Sequence, residues 1–184
     1  MKTKKFDGLK VMSPKFRMSF PDLLKPRSFE GKDPTYSIAM LFPPDADLKE
    51  MKRKATAAAK EKWADKVPKK LKTPFRDASE LDYDGYEEDW TLVRASSKVK
   101  PGLVDADLED VIDPGEIYPG RWARAILVPF AYDTAGNKGV SFGLRGVQLL
   151  EDDEQFGGGG FDKNDFDTGD NDTDKDIDDS GDPW

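Results

Sequence analysis

The chain has 184 residues, no Cys, no His and a formal net charge of −8 at pH 7. The two zeros exclude a thiol nucleophile, a histidine general base and any thiolate or imidazole zinc site. The charge averages two unlike parts: Glu151 to Trp184 hold 14 Asp/Glu against 2 Lys, while residues 1–150 are net basic.

Residues 14–20 alternate, with Phe16, Met18 and Phe20 on one side and Lys15, Arg17 and Ser19 on the other. That pattern predicts a half-buried strand with a basic outer face. Pro21 to Lys32 reads as a loop carrying Lys25, Arg27 and Lys32, and Thr35 to Phe42 as a second strand ended by Pro43-Pro44. A helix comes next. Asp47 stands three before Glu50 in a capping-box arrangement, and Leu48, Met51, Ala55, Ala58, Ala59 and Trp63 recur at helical spacing until Pro68. Its lysines read as a solvated face.

From 69 to 88 the chain is polar and rich in turn residues, and Asp89 to Ser96 reads as a strand. Leu103 to Ile112 alternates weakly before the Asp113-Pro114-Gly115 turn. Arg121 to Tyr132 is the strongest strand, and a tight Gly136-Asn137-Lys138-Gly139 turn joins it to a strand over 139–150 as a hairpin. Phe16, Phe20, Phe42, Phe130 and Phe142 are assigned to the core on their alternation. About six strands with one inserted helix predict a mainly β fold, led by an OB-fold-like antiparallel barrel. A β-sandwich is the alternative.

The chain divides into a folded domain over 1–150 and an acidic tail over 151–184. The tail's few apolar residues are spread among Asp, Gly, Asn and Thr, which bury too little surface to offset chain entropy, so disorder is expected. The run Asp170-Asn171-Asp172-Thr173-Asp174-Lys175 begins like a calcium loop, but Lys175 replaces the turn glycine and Gly181 the bidentate Glu. No metal and no cofactor is expected. The absence of an 18-residue apolar run argues against a membrane span, and the lack of a signal segment points to the cytoplasm.

The stretch Asp113-Pro-Gly-Glu-Ile-Tyr-Pro-Gly-Arg-Trp-Ala-Arg-Ala-Ile-Leu-Val-Pro-Phe-Ala-Tyr-Asp133, with the glycine-rich strand after it, resembles a family of tailed-phage single-stranded-DNA-binding proteins. Pro34-Thr-Tyr-Ser-Ile-Ala-Met-Leu-Phe-Pro-Pro44 and the adjoining helix resemble the same family. The family is related in architecture to the T7-type phage protein. The resemblance implies an OB-fold, sequence-tolerant single-strand binding in DNA replication, recombination and repair, and an acidic tail ending in an aromatic that recruits replication proteins. It would place the protein in the cytoplasm of an infected bacterial host. The chain departs from the T7 pattern in ending on Trp184 rather than Phe.

Coating single strands regardless of sequence needs cations along the phosphates and flat rings for the bases. Candidate DNA-binding cations on the predicted strands are Lys15, Arg17, Arg94, Arg121, Arg124 and Arg145, and candidate rings are Tyr36, Trp90, Trp122 and Tyr132. Arg145 lies between Gly143 and Gly146, where small neighbours let a strand approach. In the tail, Asp178, Asp179, Asp182 and Trp184 are the expected partner-binding set, for a phage or host polymerase or helicase. Exchange of tails between subunits would give a homodimer or a cooperative filament. Two rivals stand beside this reading. One is a scaffolding module; the other is a carboxylate-metal phosphodiesterase built on Asp77, Asp82, Asp84, Glu87 and Asp89, whose spacing matches no motif.

Overall fold

A computed structural model describes residues 8–157. Expectations placed on residues 1–7 and 158–184, including disorder of the tail beyond Gly157 and the partner-binding set Asp178, Asp179, Asp182 and Trp184, lie outside the described residues.

The strands are β1 (Val11–Met12), β2 (Phe16–Arg27), β3 (Thr35–Phe42), β4 (Arg76–Asp77), β5 (Thr91–Ser97), β6 (Gly102–Val104), β7 (Trp122–Thr134) and β8 (Asn137–Leu149). Among the described residues one α-helix, α1 (Lys49–Trp63), lies between β3 and β4. β2 pairs with β3, β3 with β5, β5 with β8, β8 with β7 and β7 with β2, so five strands close a ring. All these pairings are antiparallel except β5 with β8. This is the mainly β, OB-type arrangement with one inserted helix that the sequence predicts.

Period-two alternation turns Phe16, Met18, Met40, Phe42, Val93 and Ala95 into the ring, where each is at most 2 % exposed. Phe16 and Phe42 meet edge to face with centroids 5.5 Å apart. Full burial of each such side chain contributes about 1.5–3 kcal/mol. α1 adds Met51, Ala55 and Ala59 to the same core and touches β1, β7 and β8. The helix begins at Lys49 with Leu48 at the N-cap, and Asp47, one residue further out, accepts from the Lys49 N–H at 3.0 Å in place of the expected capping box.

Several sequence expectations need correction. β2 does not stop at residue 20 but runs to Arg27, so Lys25 and Arg27 lie on a strand and not in a loop. It does so through a register shift: Ser19 faces Ala39 while Asp22 faces Ser37, leaving one extra residue on β2. The bulge carries Phe20 out of the core, with φ at 44° and half the side chain exposed. Phe130 also leaves the core and is 43 % exposed. β7 turns its small residues Ala123 and Ala125, with Leu127, toward the helix-packed interior, so Phe130 shares the outer face with Trp122 and Arg124. The hairpin turn is Ala135-Gly136, both at positive φ and closed by Thr134 opposite Asn137, two residues ahead of the sequence reading. The weak alternation over 103–112 yields only β6 and a Val104–Asp110 bridge.

Candidate nucleic-acid interface

β2 and β7 meet at Arg17 opposite Trp122. Because period two puts Lys15, Arg17 and Trp122 on the outside of the ring, this junction presents two cations beside an indole. Lys15 Nζ lies 5.5 Å from the Trp122 ring centroid, and Trp90, just before β5, packs against Trp122 with centroids 6.4 Å apart. Four sequence candidates therefore gather here: Lys15, Arg17, Trp90 and Trp122. Arg94 lies further along β5, exposed and opposite Ala39, which itself faces Ser19 of β2.

The other candidates lie elsewhere. Arg124 faces Gln148 across the β7–β8 ladder and donates to its Oε1 at 2.5 Å. Arg145 is the exposed extra residue of a register shift in β8, between Leu144 opposite Leu127 and Gly146 opposite Ile126. Tyr132 brings its hydroxyl over Gly139, its cross-strand neighbour, and Tyr36 is half-buried opposite Ser97. Arg121 is placed in a structural position: only 9 % exposed, it donates twice to Leu150 O, at 3.2 and 3.0 Å, and once to Glu116 O at 3.0 Å. Its guanidinium also pairs with the Glu116 carboxylate. Those partners use most of the donors a phosphate would need.

The segment 151–157, placed in the tail by its composition, lies as a strap across the Lys15–Arg17–Trp122 junction. Glu151 takes the Lys15 ammonium at 2.6 Å, and this cation holds its carboxyl below the ordinary range. Asp153 accepts from the Glu154 N–H and from the Trp122 indole N–H at 2.8 Å, which together lower its pKa. Arg17 donates to Gly120 O at 2.8 Å and Glu154 O at 2.6 Å, and its guanidinium lies 4.2 Å from the Phe156 ring centroid. The strap fits because two glycines make room. A Cβ at Gly120 would come within 2.4 Å of Glu154 O, and one at Gly85 within 2.3 Å of the Phe156 ring. Tyr118, its pKa raised first by desolvation and then by its bond to Asp152, anchors the middle of the strap at 2.6 Å.

Sequence reasoning missed the strap's own ring, Phe156, and four exposed aromatics on the described surface, Phe20, Phe29, Tyr83 and Phe130. Phe29 lies in the turn between β2 and β3, one of the loops by which OB-type folds hold oligonucleotides. No group of three or more His, Cys, Asp or Glu side chains among the described residues is placed to hold a metal ion.

Comparison with known proteins bears on this geometry. The family described as "Enterobacter phage Enc34, ssDNA-binding protein" matches residues 9–177. A putative protein p50 of Acyrthosiphon pisum secondary endosymbiont phage 1 is 30 % identical over 165 residues, covering 83 % of this chain and 89 % of that protein. Among solved structures, the single-stranded DNA-binding protein from bacteriophage Enc34 in complex with ssDNA superposes with a TM-score of 0.70 at 24 % identity. The match covers 82 % of this chain and 90 % of that one. The single-stranded DNA-binding protein gp2.5 encoded by bacteriophage T7 gives a TM-score of 0.59 at 16 % identity, covering 85 % and 91 %. At these identities the structural likeness speaks for the fold.

Proposed function

We propose, from the premise that the chain belongs to the phage Enc34 single-stranded-DNA-binding protein family, that it coats single-stranded DNA without strong sequence preference. It acts as a binding protein and not an enzyme, in the cytoplasm of an infected bacterium during replication and recombination. One observation carries the reading: Lys15, Arg17, Trp90 and Trp122 share one outer junction of the ring. Cations there would take phosphates and rings would take bases, and neither contact distinguishes one base from another.

The strap adds a competitor. Glu151 and Asp153 set carboxylates against Lys15 and Arg17, where phosphates of a bound strand would stand. Both acids are well exposed, and such pairs each contribute at most about 1 kcal/mol. A long strand, offering many phosphates at once, displaces them. As part of the same chain the tail acts at an effective concentration of about millimolar. Once displaced, it is free to recruit a phage or host polymerase or helicase through Asp178, Asp179, Asp182 and Trp184.

The test is salt-titrated binding of oligo(dT) and of a duplex of equal length. The expected result is preference for the single strand, similar affinity across base compositions, and a log–log salt slope of about −0.7 per phosphate neutralised. Failure to bind oligo(dT) in dilute buffer would overturn the reading.

A further inference from the structure

The β2 bulge opens a recess of about 370 Å³ whose lining includes Phe20, Pro21, Tyr83, Pro119 and Phe156. Phe20 and Tyr83 meet edge to face with centroids 5.1 Å apart, and Tyr83 meets Tyr86 in the same way at 5.3 Å. The Tyr86 hydroxyl donates to Ser19 Oγ at 2.9 Å, which fixes this aromatic array to the strand. We propose that this recess takes one unpaired nucleobase of a bound strand, stacked against Phe20 and Tyr83. The assignment rests on the single-strand-binding reading above and adds to it a base subsite away from the Lys15–Trp122 junction.

Two features separate this pair of rings from core aromatics. Phe20 is 50 % and Tyr83 51 % exposed, although apolar neighbours are close at hand. Phe20 also holds φ at 44°, a left-handed conformation that costs a bulky L-residue of order 1–3 kcal/mol and costs glycine almost nothing. A bulge that served only to bend the strand would be easier to build with glycine. With phenylalanine, it aims a ring outward.

The charges around the recess select a base over a phosphate. Asp22 and Asp84 line it with one cation, Arg27, so the lining is net negative and disfavours a phosphate but not a neutral heterocycle. Asp22 is held beside Arg27 at 3.9 Å. Arg27, which itself lines the recess, and Arg94 on β5 are exposed and able to take the flanking phosphates. The rung Ser19–Ala39–Arg94 runs from the bulge across β3 to β5. Ser19 lines the recess, which thus opens at the β2 end of a rung that continues onto the second and third ring strands, whose face OB-type folds use for oligonucleotides.

Phe20→Gly tests the assignment without endangering the fold, since glycine relieves the positive φ. Its denaturation midpoint is expected to equal or exceed that of the unaltered chain. Its affinity for oligo(dT) is expected to fall about 5- to 100-fold, the loss of one stacked base. Tyr83→Leu is expected to show a similar loss. Neither variant removes a cation, so the salt slope of binding stays unchanged, a result that general damage to the interface would not give. An oligonucleotide carrying 5-iododeoxyuridine is expected to crosslink to Phe20 or Tyr83 on irradiation. Unaltered affinity in both variants, with the parent chain still binding oligo(dT), would overturn the recess assignment and leave the general reading intact. Absence of binding by the parent chain would remove both.

Discussion

Arg17 and Arg121 carry the same charge to different ends. Arg121 is buried and satisfies the carbonyls of Glu116 and Leu150 where β8 ends. Arg17 reaches the surface junction, where two of its partners, Asp153 and Glu154, are exposed and the third, Gly120, is buried. Replacing Arg121 by Ala leaves these part-buried carbonyls without their partner and should lower stability by about 1–3 kcal/mol in urea denaturation. Replacing Arg17 by Ala should instead weaken oligo(dT) binding and reduce its salt slope. Sequence alone could not separate the two arginines, because both sit beside aromatics on predicted strands. Phe16, Phe42 and Phe142 were legible as core from alternation, and each is fully buried. Phe20 was not, because a one-residue bulge reverses the facing of the strand beyond it. Alternation puts Trp122 and Arg124 on one face, as observed, but the bulk of their neighbours suggests that this face points inward. Packing against α1 reserves the interior for Ala123 and Ala125.

Among the elements, the ring strands and α1 were legible because each alternates or repeats over seven residues or more. The strap was not. Its composition reads as part of the acidic tail, and its docking partners, Arg17, Gly85, Tyr118 and Pro119, are scattered through the sequence. The strap's ion pairs make its docking pH-dependent. The carboxyls of Glu151 and Asp153 titrate lower when docked than free, so their contribution is fully present at neutral pH. It is lost as the pH falls through the lowered values, below the ordinary carboxylate range. Because Asp153 holds the Trp122 indole N–H, tryptophan emission should report strap release on acidification, with its midpoint below that of a free carboxylate. A change centred above about pH 5 would contradict this assignment, since no ordinary carboxylate titrates there.

Over the whole molecule, the division between a basic body and an acidic C-terminal stretch was visible in the charge count, and the family resemblance named its use. What the charges alone did not reveal is where the two parts meet. The strap sets its carboxylates on the same two cations, Lys15 and Arg17, that lie beside Trp122. On the function proposed above, nucleic acid and the acidic stretch are rivals for one surface. The decisive comparison is oligo(dT) affinity at low salt for the full chain and for a chain ending at Glu151, which keeps the backbone bond from Trp122 N to Glu151 O. Removing Asp152 onward frees Arg17 and the Trp122 indole, so binding should tighten, with the gain shrinking as salt is added. Equal or weaker binding by the shortened chain would contradict the account.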